Sequence, residues 1–208
     1  YELGSTAPGL QVLFQKFLSD DLEVRSIAGY GIVPAGRSAI PKLLEHLEDA
    51  DPGLQARIID VIGDIGVEAS DVVPALTSLA TSTDVRVRRT VIEVLGIVTQ
   101  GQAPTAVDVV GVLEAALVDE DAIVVRNATF AISRLGGKAS SNTIVDRLSQ
   151  NLSHWHHHVR GWSVETLQRL DDPRAMRLAL QYLTSTRWDH ASKSGDRDAT
   201  DKPMREVS

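Results

Sequence analysis

Val87, Val91, Val94, Leu95 and Val98 follow one another at steps of three and four residues, the spacing that gathers apolar side chains on one face of an α-helix. The density of Val and Ile between Val85 and Val98 would otherwise suit a strand, but the period decides for helix. Further helical patterns occupy Ser38–Asp49, Asp71–Ser82, Thr105–Val118 and Asn142–Leu152, with Leu10–Leu18 ahead of them and Arg174–Leu183 behind.

Registering the chain on itself shows that the pattern recurs. Segments beginning at Asp51, Asp84, Asp121 and His156 superimpose without internal gaps, and a fifth, looser copy begins at Asp21, so that the heads step by 30, 33, 37 and 35 residues. Each unit therefore reads as helix A, turn, helix B. Four positions past each head stand Arg25, Gln55, Arg88, Val125 and Arg160, and where Arg is missing Arg57 and Arg126 stand nearby. The head Asp suits a helix N-cap, and the Arg is expected to return toward that carboxylate or toward the neighbouring repeat. Pro41 and Pro74, each ten residues before an Asp head, fit the first turn of helix A, where a missing N–H costs nothing. Gly66, Gly96 and Gly136 are expected to terminate three B helices.

Composition narrows the picture. The apolar fraction of 43% is spread evenly to about residue 186, so one continuous core over 1–186 is expected. With only 4% aromatics, that core must be built of Ala, Val, Ile and Leu, which favours helix packed on helix. A net charge of −7 works against binding nucleic acid or an acidic lipid surface, since phosphate binding draws its affinity from clustered Lys and Arg. Cysteine is absent, which removes disulfides, thiolate metal sites and Cys nucleophiles and leaves the compartment open; cytoplasm is the default. The most apolar stretch, Ala106–Val118, is too short for a membrane span, which needs about 20 residues. From Arg187 the apolar rhythm stops, and 187–208 reads as a polar, disordered tail. Alternatively, Trp188 caps the last helix. The chain begins at Tyr1 without a signal-peptide pattern, as a trimmed chain or a piece of a longer one would.

The string Asp84-Val85-Arg86-Val87-Arg88-Arg89, followed by small and apolar residues and ending Val94-Leu95-Gly96, resembles the HEAT repeat, in the short form named after phycobilisome lyases. The resemblance covers roughly residues 10 to 186. It implies an all-α fold, a right-handed α-solenoid of about five helix-turn-helix repeats plus a C-terminal capping helix. It also implies an interaction scaffold, as such families mostly are, although fold alone does not establish function.

No catalytic constellation accompanies the repeats. No His-Glu dipeptide occurs, so the di-iron site of HEAT-like hydroxylases is not expected, and His-Glu-x-x-His is absent with it. Gly161-Trp162-Ser163-Val164-Glu165 lacks the closing Gly of a nucleophile elbow, and Gly136-Gly137-Lys138 lacks the upstream Gly of a phosphate loop. The chain is read as a non-enzyme with no cofactor and no metal. Arg86, Arg88 and Arg89 are read as repeat-ladder and solvent charges, not as a DNA-binding patch. His154, His156, His157 and His158 straddle an expected turn, and are read as a solvated or partner-facing turn that charges at mildly acidic pH.

A binding surface is expected on the concave face, which stacked B helices line. One and five residues past the Arg register lie two rows on one helical face. From them the candidate partner-binding residues are Tyr30, Asp60, Arg89, Glu93, Arg126, Phe130 and Glu165, with Phe130 as central anchor for a protein or peptide. The competing reading of that row is a solvated face with Tyr30 and Phe130 partly tucked under neighbours. Two other functions stay open. Val159–Ala175 looks like the helical tail of some multidomain aminopeptidases and sulfatases, which would make the chain an accessory domain of a larger enzyme. The repeat subclass alone points to a bilin lyase-type, chromophore-handling subunit.

Overall fold

In the computed structural model, residues 7–100 and 108–185 are described, and among them there is no β-strand. The A helices are α1 (Ala7–Phe17), α3 (Ile40–Leu47), α5 (Val73–Leu79), α7 (Val109–Ala116), α9 (Asn142–Asn151) and α11 (Pro173–Ser185). The B helices are α2 (Leu22–Ile32), α4 (Pro52–Ile65), α6 (Val85–Val98), α8 (Ala122–Leu135) and α10 (His157–Arg169). This alternation is the all-α solenoid that the five-fold register implies. The calls on residues 187–208, a disordered tail or a Trp188 cap, lie outside the described residues.

The chain forms two compact units, Tyr1–Val109 and Val110–Ser208. In the first, α2 packs on α1 and α4 packs on α6. Ile58, Ile59 and Ile62 of α4 are buried together with Val91, Ile92 and Leu95 of α6, and Leu43 and Leu76 are buried on the A helices. The α4–α6 approach depends on glycine: a Cβ at Gly63 would come within 2.7 Å of Val94 Cγ2. In the second unit α10 packs on α8 and lies against both α9 and α11. Its core includes Val125, Ala128 and Ile132 of α8, Ile144 and Leu148 of α9, and Val159 and Leu167 of α10.

The helix starts follow the sequence reading. Asp21, Asp51, Asp84 and Asp121 are N-caps whose carboxylates accept first-turn backbone N–H groups. Pro41 and Pro74 sit in the first turns of α3 and α5. The Arg86 side chain, by its hydrogen bonds to Asp84, is the main reason that the Asp84 carboxyl is lowered to about 2.

Two details differ from the sequence expectation. The register Arg reaches the turn in front of its own helix, while Arg57 reaches the neighbouring repeat at the Ser26 carbonyl. Arg25 donates from Nε and Nη2 to the Ser19 carbonyl, Arg88 from Nη1 to the Ser82 carbonyl, and Arg160 from Nη1 to the His154 carbonyl. Each acceptor lies two residues before the head, in a turn whose carbonyls lack helical partners, and a five-donor guanidinium satisfies them well. Gly96 is likewise no terminator: α6 runs through it to Val98 and buries it. It holds the same register place as Gly63, where a helix crossing needs a small residue. The backbone reversal comes three positions later, fifteen residues past the head, at Gly36 (φ 54°), Gly66 (φ 78°), Gly136 (φ 57°) and Asp171 (φ 53°). Thr99 holds that place after α6 with a φ of −95°.

Candidate functional site on the B helices

In the first unit, α2, α4 and α6 bring together three of the candidate residues, Tyr30, Asp60 and Glu93. Tyr30 is 65% exposed. The Arg57 guanidinium lies over its ring, 5.1 Å from the centroid, held there by an Nη2 hydrogen bond of 3.1 Å to the Ser26 carbonyl. The same guanidinium reaches Asp60 Oδ2 at 3.8 Å. The Asp60 carboxyl is pushed up from its ordinary value, first by burial and further by Glu93 and Asp64, against the opposing pull of Arg57. Tyr30, Arg57, Asp60 and Glu93 therefore form one electrostatic neighbourhood over three repeats. Arg89, on α6, is half-buried.

The second unit treats the row differently. Phe130 is half-buried, its ring edge-on to Trp162 at 4.7 Å and covered by the Arg134 guanidinium at 5.3 Å. Arg126 donates from Nε and Nη2 to Asn127 Oδ1. Glu165 is paired with Arg169 at 2.5 Å, one helical turn away. Phe130 thus matches the tucked reading of its row, and Tyr30 the exposed one.

Arg57, Arg134 and Trp162 were not among the sequence candidates. Arg57 carried a signal: it stands three residues before Asp60 on α4, and so shares a face with it.

The histidine turn joins α9 to α10. His154 Nδ1 accepts the His156 backbone N–H at 3.0 Å, the task done by Ser19 Oγ for Asp21, Ser82 Oγ for Asp84 and Asp119 Oδ1 for Asp121. Burial, with the nearby Arg160 charge, lowers the His154 pKa below its ordinary 6.5. This ring therefore charges at lower pH than a free imidazole. Among the described residues no group of three His, Cys, Asp or Glu side chains is placed to hold a metal ion. No helix of the described residues is long and apolar enough to cross a membrane.

Residues 40–133 match the family model described as HEAT repeats. This stretch is built of HEAT repeats. Solved structures place the wider chain in the same fold. An engineered protein is 18% identical, with a TM-score of 0.59 over 84% of this chain and 95% of its own. A second engineered protein is 21% identical, with a TM-score of 0.58 over 86% of this chain and 58% of its own. A designed armadillo repeat protein, in complex with the peptide (KR)4, is 14% identical, with a TM-score of 0.55 over 88% of this chain and 99% of its own. At these identities the likeness is one of HEAT and armadillo solenoid architecture. The search of curated proteins gave no match.

Proposed function

We propose that this HEAT-repeat chain is a non-catalytic scaffold that binds a basic, extended protein segment or peptide along the exposed face of its B helices. The observation that carries the reading is the α2–α4–α6 neighbourhood, where Arg57 links exposed Tyr30 to Asp60, whose carboxyl in turn feels Glu93. An aromatic flanked by carboxylates offers an apolar and cation–π anchor together with charge partners for Lys and Arg. The (KR)4 peptide on a designed armadillo repeat protein supports the same ligand chemistry on a related architecture. Arg89 belongs to the same proposed surface, and Arg126, Phe130 and Glu165 are a proposed contact surface of their own on the second unit. Of these, Phe130 acts through its packing with Trp162 and Arg134 more than as an open anchor.

Titration of fluorescent (KR)4 into the purified chain tests the reading. Binding should weaken with salt, as exposed charge pairs do, and fall at least tenfold in Tyr30→Ala and in the double variant Asp60→Lys, Glu93→Lys. Binding equal to that of an acidic control peptide, or indifference to these substitutions, would overturn it.

A further inference from the structure

The chain places a cation of its own where a ligand's Lys or Arg is proposed to dock. Arg57 lies over the Tyr30 ring, 5.1 Å from the centroid, donates from Nη2 to the Ser26 carbonyl at 3.1 Å and stands 3.8 Å from Asp60 Oδ2. Gly29 makes the room for it, since a Cβ there would come within 2.9 Å of Arg57 Nη2. The Arg57 side chain is only 19% exposed, whereas Tyr30 is exposed. One face of the ring is thus taken from within, and the residue keeps most of its surface open.

The fold does not require a charge at this place. Trp162 holds the same register position on α10 and reaches back onto the Phe130 ring as an uncharged side chain. The hollow over Gly29 is bounded by apolar groups as well, because the same Cβ would meet Val61 at 3.1 Å and Phe17 at 3.2 Å. Arg57 Nε is buried with no hydrogen-bond partner among the described residues, a cost that an apolar side chain of similar length does not carry. The charge acts instead on Asp60. Arg57 pulls that carboxyl down, against burial, Glu93 and Asp64, which push it up.

We infer that Arg57 is a built-in competitor of the ligand, the residue that sets the affinity of the α2–α4–α6 surface for cations; this rests on the basic-segment function proposed for that surface. A Lys or Arg that approaches Tyr30 meets a fixed like charge across the same ring, and an Asp60 whose charge is already shared. A lone cation is therefore held weakly, and tight binding demands further contacts from the rest of the segment. Repulsion of this kind discriminates between ligands without any added attraction.

Titration of fluorescent (KR)4 into the full chain tests this in wild type, Arg57→Met, Arg57→Gln and Arg57→Lys. Arg57→Met should bind at least threefold more tightly than wild type, with a steeper fall in added salt, because a repelling charge has gone. Arg57→Gln keeps a donor for the Ser26 carbonyl without the charge and should match it, and this variant decides if Met costs helicity. Arg57→Lys should bind within about twofold of wild type, because the charge stays. In a Tyr30→Leu chain the gain from Arg57→Met should shrink, since the shared ring is absent. Weaker binding by Arg57→Met that Arg57→Lys restores would overturn the inference and make Arg57 a prop for Tyr30. Unchanged binding, or an equal gain in the Tyr30→Leu chain, would overturn it too. Failure of every variant to bind (KR)4 would overturn the basic-segment function and the inference with it, whereas binding that needs Tyr30 and ignores the Arg57 charge overturns the inference alone.

Discussion

Arg160 Nη1 donates to the backbone carbonyl of His154 at 2.8 Å and to that of Trp155 at the same distance, tying the first turn of α10 to the turn in front of it. Replacing it with Met keeps most of the stem but leaves two carbonyls without their charged donor. Arg160→Met should cost about 1 to 2 kcal/mol, within the range for hydrogen bonds to charged groups. Arg169→Met removes only a surface pair with Glu165 and should cost under about 0.5 kcal/mol. Urea denaturation of the two variants checks the difference; equal losses would mean that the clamp contributes nothing beyond a surface charge.

His156 occupies an N-cap position and makes no side-chain cap hydrogen bond, whereas its four counterparts are capping Asp residues. His156→Asp should therefore raise stability by about 0.5 to 1 kcal/mol, and Asp51→Ala should lower it by roughly 0.5 to 2 kcal/mol. Thermal melts of both variants would show opposite shifts in Tm.

Asp171 adopts a φ of 53° at the place where three other repeats use glycine. An Asp tolerates this backbone better than most residues, through local hydrogen bonding by its short side chain. Asp171→Ala should cost about 1 kcal/mol, while Asp171→Gly should cost nothing or stabilise slightly. A chemical denaturation series over Asp, Gly and Ala at this position is the measurement, and Ala matching Asp would remove the strain argument.

The fold was legible because it rests on features that sequence states directly. Apolar steps of three and four, an Asp before four of the five B helices and the prolines in the first turns of α3 and α5 are local marks with local causes. The candidate site was less legible. Tyr30 and Phe130 hold the same register place, yet one is open and the other lies under Trp162 and Arg134. The difference comes from what the neighbouring repeat places opposite, Arg57 in one case and Trp162 in the other, and a register drawn on one repeat does not contain it. The target of the register Arg is hard to read from sequence for a related reason. A carboxylate four residues away is the obvious partner for a cation, but the carboxylate is already engaged by backbone N–H groups, and the unsatisfied carbonyls lie behind it.

The histidine turn should respond to acid. Because the folded pKa of His154 is lowered, folding favours the neutral ring, and the unfolded chain takes up the proton first. The ring's contribution is therefore complete above its ordinary value of 6.5 and is lost as pH falls from there through the lowered folded value. His154→Ser keeps an acceptor of the kind found at Ser19 and Ser82 and does not titrate. The gap between denaturation midpoints at about pH 7.5 and about pH 5.5 should be smaller in this variant than in wild type. An unchanged gap would place the acid response elsewhere.

The clamp that Arg25, Arg88 and Arg160 share closes within six residues of chain. Donor, acceptor and cap all travel in the same short stretch of sequence, so a segment copied whole carries a finished turn wherever it lands. Gain or loss of a repeat then demands no matching change at these turns in the repeats on either side, and the length of such an array becomes a quantity that inheritance can alter in single steps.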